Sequence, residues 1–206
     1  MLLIPFLLAA IILAITPGPG IAYVVARTVA GGRSEGLASC LGTGLGGLVH
    51  VFAAAVGLSV VIAQSAMAFN VVKYVGAAYL AYLGIRLLMR SSQPSFTSVS
   101  LTTQGTRRAL LEGIVVEALN VKTALFFLAF LPQFAAPNEP IIPQLVLLGT
   151  ICVVLNTLVD VAAVFAADQL LQSNSARATR SRLLTRISGL TMLGLSFYLA
   201  IARRQA

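Results

Sequence analysis

The chain has 206 residues, of which 58% are hydrophobic and 10% charged, and it contains no Trp. A mean hydropathy of +0.94 is far more apolar than a water-soluble domain tolerates, so the expected solvent is lipid. Fourteen Lys and Arg against six Asp and Glu give a formal net charge of +8, but the basic residues stand between apolar runs and not on one soluble face, which argues against a nucleic-acid partner.

A bilayer core about 30 Å thick takes about 20 apolar residues per helix. Six candidate spans result, at roughly 2 to 26, 36 to 64, 67 to 89, 109 to 134, 142 to 171 and 184 to 202. The whole chain, 1–206, therefore reads as one all-α transmembrane domain. Its start, Met1-Leu-Leu-Ile-Pro-Phe, has no basic segment of the kind that opens a cleaved signal peptide, and is read as a span that stays.

Helix one is interrupted by Thr16-Pro17-Gly18-Pro19-Gly20. Prolines lack amide donors, so carbonyls one turn earlier lose partners and the helix is expected to break. Pro17 stands ten residues from Arg27, about 15 Å deep. One reading makes Pro17, Gly18, Pro19 and Gly20 substrate-binding residues, where a half-helix N-terminus receives a carboxylate. The other is a packing kink.

Helix two carries Gly42-Thr-Gly44-Leu-Gly46-Gly47 and, nearer the midplane, His50, the single histidine. The glycines suit close helix packing. His50 is either a proton relay or a hydrogen-bonded structural residue. One histidine cannot build a zinc site, and no cofactor or metal is implied. Cys40 and Cys152 are expected roughly 30 Å apart along the membrane normal, as two buried small residues that form no disulfide.

The stretch from Ser91 to Gln104 is rich in Ser and Thr without charge. It reads as a loop, and residues 91–108 join halves of about 1–90 and 109–206. With three helices each, the halves have opposite orientation. Helix three reads Lys73-x-x-Gly76 with Arg90 fourteen residues after the glycine, and helix six reads Arg186-x-x-Gly189 with Arg203 at the same distance. The expected fold is six transmembrane helices as two inverted three-helix repeats, an arrangement that places a substrate site between rocking halves.

Helix four holds Glu117, Asn120 and Lys122 deep in the span. Charges there must pair, meet water or neutralise. Five residues apart, Glu117 and Lys122 would pair only through distortion or partners elsewhere. Helix five holds Asn156 and Asp160, four residues apart and on one face. Asp160 is either a proton-titrating or ammonium-binding group or a protonated interhelical hydrogen-bond donor.

Loops after helices one, three and five would share a side. They hold Arg27, Arg33, Arg86, Arg90, Arg107, Arg108, Arg177, Arg180, Arg182 and Arg186, whereas the other side holds Lys73, Arg203 and Arg204. Ten against three puts those loops in the cytoplasm and both termini outside.

Several strings, in this order and spacing, resemble the lysine exporter and homoserine/threonine resistance (LysE/RhtB) family: Thr16-Pro-Gly-Pro19, Gly44-Leu-Gly-Gly-Leu-Val-His50, Lys73-Tyr-Val-Gly-Ala-Ala-Tyr-Leu-Ala-Tyr-Leu-Gly84, Asn120-Val-Lys122, Phe130-Leu-Pro-Gln-Phe134 and Asp160. The resemblance implies a bacterial inner-membrane exporter that expels amino acids or close analogues, driven by the proton gradient. The family pattern commonly has Asn-Pro-Lys where Asn120-Val121-Lys122 stands, Asn at Glu117 and Asp at Gly47, which would move an acidic group from helix two to helix four. The expected partners are an amino acid, protons and the lipid bilayer, with a homo-oligomer left open. The candidate substrate-binding residues are Pro17, Gly18, Pro19, Gly20, Glu117, Asn120, Lys122, Asn156 and Asp160, and the candidate proton-coupling residues are Asp160, Glu117 and His50. Export of a metal cation or organic acid is the alternative. An intramembrane enzyme is disfavoured because no nucleophile and base pair is present.

Overall fold

A computed structural model describes residues 3–58, 103–136 and 138–171, with isolated helical positions between 67 and 89 and at 193 and 197. Apart from those positions helix three and helix six, and with them Lys73, Arg86, Arg90, Arg203 and Arg204, lie outside the described residues, as do residues 91–102 of the central connection and the arginines between 177 and 186. Among the described residues every regular element is helical: α1 (Leu3–Ile15), α2 (Pro19–Ala53), α3 (Thr106–Ala118), α4 (Val121–Leu125) and α5 (Ile141–Leu171). Helix α2 continues as a π-helical turn, Ala54–Leu58, and α4 as a π-helical turn, Phe126–Phe130, and a 3-10 turn, Leu131–Phe134.

Helix α1 buries Phe6, Ala10 and Leu13 on one side and exposes Ile4, Leu8 and Ile15 on the other. Helix α5 does the same, with Leu145, Leu148 and Cys152 inside and Leu147, Val154 and Leu158 outside. A helix apolar on its outer face as well as its inner one belongs in lipid. By length and composition Ile141–Gln169 suits a membrane crossing, as does the stretch Pro19–Gly57 apart from its turn at Gly32, and the pair Thr106–Ala118 and Val121–Phe134, bent by 42°, makes a third candidate.

Helix α2 folds back on itself at Gly32, where φ is 73° and ψ −169°, a conformation that favours glycine. In a straight helix Gly20 and Thr43 would stand about 34 Å apart, yet a Cβ built on Gly20 would lie 3.9 Å from Thr43 Cγ2. Val24 packs with Cys40 in one cluster, and Gly36 lies against Thr28. These pairs run in antiparallel order, so α2 is a hairpin with arms 19–31 and 33–53.

This corrects the expected loop at its basic residues. Arg27 belongs to the first arm and is 0% exposed; its guanidinium faces Glu35 of the second arm at 3.6 Å. Glu35 Oε1 also accepts the Gln104 and Gly105 amides, at 2.9 and 2.8 Å, just before α3. Arg107 and Arg108 lie in the first turn of α3 and not in the connection. Cations oppose the dipole there; Arg108 is offset by Glu112 one turn on, at 2.7 Å. At the same end Arg33 pairs with Asp168 of α5 at 2.7 Å.

Two apolar cores result. One joins Phe6 and Leu13, the aromatic run Phe126, Phe127, Phe130 and Phe134, and Leu145, Leu148 and Cys152. Phe126 and Phe130 stack at 5.3 Å, and Phe6 meets Phe134 edge-on at 5.6 Å. The other, smaller core is Val24, Cys40 and Val164, on the arginine side. The two cysteines are free, buried and in different cores.

Candidate functional site

Between the cores lies a cavity lined by Gly20, Ile21, Thr43, Gly44, Gly47, Glu117, Asn120, Lys122, Thr123, Asn156, Thr157 and Asp160, among others. Along α2 and α5 these positions fall between the residues of one core and those of the other, and on α3 and α4 they precede the aromatic run. The cavity measures about 20 Å³, room for about one water and not for an amino acid.

Local breaks create it. Helix α1 stops at Ile15 and α2 begins at Pro19, so the chain crosses Thr16–Gly18 without helical structure. A second break separates α3 from α4 at Leu119 and Asn120. No proline is needed at that place, because Asn120 caps α4: its side chain accepts the Lys122 amide at 3.1 Å. The Asn120 side-chain amide meanwhile donates to Glu117 Oε2 at 2.9 Å, and Thr123 Oγ1 donates to Glu117 Oε1 at 2.6 Å. Both oxygens of this buried carboxylate are thus held within its own broken helix. Its Oε2 lies against the start of α2, 2.7 Å from where a Gly20 Cβ would be, and the positive end of the helix dipole favours a carboxylate there.

Asp160, 5% exposed, accepts one hydrogen bond, from Thr43 Oγ1 at 2.8 Å. It therefore keeps more acceptor capacity toward the cavity than Glu117 does. Asn156 lines the same wall and is half-buried, one turn before Asp160.

Lys122 forms no ion pair with Glu117. Its ammonium donates to Leu13 O at 3.1 Å and Thr16 O at 2.7 Å, the last carbonyls before the first break. His50 does not line the cavity. Its Nε2 donates to the Glu117 backbone carbonyl at 2.8 Å, with the ring tilted against Phe127. Pro17, Gly18 and Pro19 also stay off the wall, and of that candidate run only Gly20 reaches it. Thr43 and Thr123, which orient the two carboxylates, were not singled out as site residues by the sequence. The available signal was a hydroxyl within the glycine run and another just after Asn120-Val-Lys122. Among the described residues no group of three His, Cys, Asp or Glu is placed to hold a metal ion.

A helical membrane protein with two broken helices meeting at an acid-lined cavity has the build of a small-solute transporter. The sequence pattern of the LysE type translocators matches residues 11–203, and the chain belongs to that family. It is 30% identical to an uncharacterized membrane protein of Vibrio cholerae over 203 residues, 96% of each chain. It is 31% identical to the homoserine/homoserine lactone efflux protein of Salmonella typhimurium over 156 residues, 75% of this chain and 74% of that one. No solved structure matches the chain.

Proposed function

We propose that the chain is a secondary transporter that exports amino acids or close analogues from the cytoplasm in exchange for protons. The observation that carries this reading is that Asp160 and Glu117, buried carboxylates from two helices, face one cavity with the start of α2. The cargo ammonium meets Asp160, with Glu117 beside it. The cargo carboxylate meets the first amides of α2 at Gly20 and Ile21, which have no partner within the helix. Gly47 and Glu117, where the chain departs from the family pattern, line this same cavity, so an acid moved from helix two to helix four still serves it. The efflux-protein name of the Salmonella relative supports cargo of amino-acid type.

The remaining architecture follows the sequence: six crossings as two inverted three-helix halves, 1–90 and 109–206, in the bacterial inner membrane with both termini outside. The cavity is flanked by the aromatic core on one side and by the Arg27, Glu35 and Val164 layer on the other. Transport then alternates the side that opens. Protonation of Asp160 from outside competes with the cargo ammonium and releases it, which couples efflux to proton entry. His50 holds the break of helix four through the Glu117 carbonyl and stands outside the proton path.

Asp160→Asn tests this. Loss of a charge-assisted hydrogen bond, about 1.5–3 kcal/mol, lowers apparent cargo affinity about 10- to 150-fold and removes the response to a pH gradient. Radiolabelled amino-acid efflux from loaded proteoliposomes is the measurement. Full gradient-driven efflux by Asp160→Asn would overturn the role of Asp160, and absence of amino-acid counterflow in the unaltered chain would overturn the reading itself.

A further inference from the structure

Lys122 is 7% exposed, and an ammonium buried at membrane depth is costly unless something answers its charge. The nearest acid in sequence, Glu117, is taken by Asn120 and Thr123. What answers Lys122 is backbone: Leu13 O at 3.1 Å and Thr16 O at 2.7 Å. In an unbroken α-helix the Leu13 carbonyl would accept the amide of the fourth residue on. That residue is Pro17, which has no amide hydrogen. A carbonyl without a donor in hydrocarbon costs several kcal/mol, and the last carbonyls of a helix carry about half a negative charge. Each of these two liabilities cancels the other.

We infer that Lys122 is a positioning residue: its ammonium supplies the hydrogen bond that Pro17 removes from the end of α1, and so fixes the start of α2 at the cavity wall. The break of helix four delivers it. Lys122 stands in the first turn of α4, where Asn120 caps its amide, and its side chain passes along Gly18, 3.1 Å from where a Cβ of that residue would be. The two broken helices are thereby interlocked, the cap of one being a side chain of the other. Cargo does not need this charge, since the amides at Gly20 and Ile21 remain for its carboxylate.

This inference builds on the site of the transport reading, but half of its test needs no cargo. Purified full-length chain in detergent is compared as Lys122→Met and as the double variant Pro17→Ala/Lys122→Met, the alanine returning an amide hydrogen that can reach Leu13 O. Lys122→Met is expected to melt lower by roughly 5 °C or more, and the double variant to recover at least half of the drop or, where the single variant does not fold, to restore folded protein. In proteoliposomes Lys122→Met is expected to raise KM about tenfold while Vmax, corrected for folded protein, stays within about threefold, and the double variant to return KM toward the unaltered value. General loss of structure would lower Vmax and leave KM alone. A Lys122→Met chain that melts no lower, or a double variant no better than the single one in stability and KM, overturns the inference. Lack of amino-acid transport in the unaltered chain would sink the transport reading and leave the stability comparison to decide this one.

Discussion

A Gly42→Val chain is expected to lose at least about 3 kcal/mol of stability, the upper range for overpacking, and to leave little folded protein in the membrane. The reason is backbone against backbone. A Cβ at Gly42 would overlap the Leu110 carbonyl oxygen and lie 3.1 Å from Gly113 Cα. In the other direction, a Cβ at Gly113 would lie 2.8 Å from Ser39 O and 3.2 Å from Gly42 Cα. Neither neighbour is a side chain that can swing aside, so α2 and α3 would have to separate. Lipid offers little hydrophobic drive to close such a gap, because helix association in a membrane rests largely on packing of small residues. Separation would also carry Glu117 away from Gly20 and open the cavity wall. Gly57 is the control: among the described residues nothing lies within 4 Å of a Cβ built there, and Gly57→Ala should match the unaltered chain. Monodisperse yield and melting temperature in detergent read both variants. Equal melting of Gly42→Val and Gly57→Ala would show that the two helices are not in the contact described.

How much of this was legible beforehand depends on the kind of signal. The break at Thr16–Gly18 was, because two prolines remove amides whatever surrounds them. That Glu117, Asn120, Lys122, Asn156 and Asp160 interrupt apolar runs was legible as well, since polar residues inside such runs are visible in one dimension, and the structure places all five on one cavity. The family was readable from the order of several weak strings, and the match over residues 11–203 agrees. The partners were not readable. A sequence suggests matching charge to charge, Lys122 to Glu117, whereas the structure matches Lys122 to the Leu13 carbonyl, which a proline 105 positions before the lysine strips of its helical donor. Arg27 was counted as a loop residue because arginines beside apolar runs usually are. The one-residue turn at Gly32 instead keeps Arg27 helical and folds Glu35 over it. Lipid-facing and core-facing positions were indistinguishable, both being apolar, so α1 showed no face until its neighbours were in place.

The buried pair at that turn leads to an asymmetric expectation. Glu35 serves three donors' worth of structure: the Arg27 guanidinium and the Gln104 and Gly105 amides that open α3. Arg27 gives far less back, for it is 0% exposed while its Nε, Nη1 and Nη2 make no hydrogen bond among the described residues, and the Tyr23 ring lies 6.0 Å from it. Removing the acid strands a fully buried cation and two amides, so Glu35→Ala should cost about 3–5 kcal/mol. Removing the base strands Glu35 Oε2, which makes no hydrogen bond of its own among the described residues, while Oε1 keeps both amides and the positive end of the α3 dipole. Arg27→Met fills similar volume without charge and should cost less than Glu35→Ala, because the carboxylate it leaves behind still accepts two amides. The double variant Arg27→Met/Glu35→Ala should then be more stable than Glu35→Ala alone, since no cation is left unanswered. Melting of the three purified chains in detergent distinguishes the cases. Were Arg27→Met as damaging as Glu35→Ala, the guanidinium would be holding the hairpin through contacts stronger than a 3.6 Å approach to one oxygen, and the carboxylate's two amides would not be what secures the start of α3.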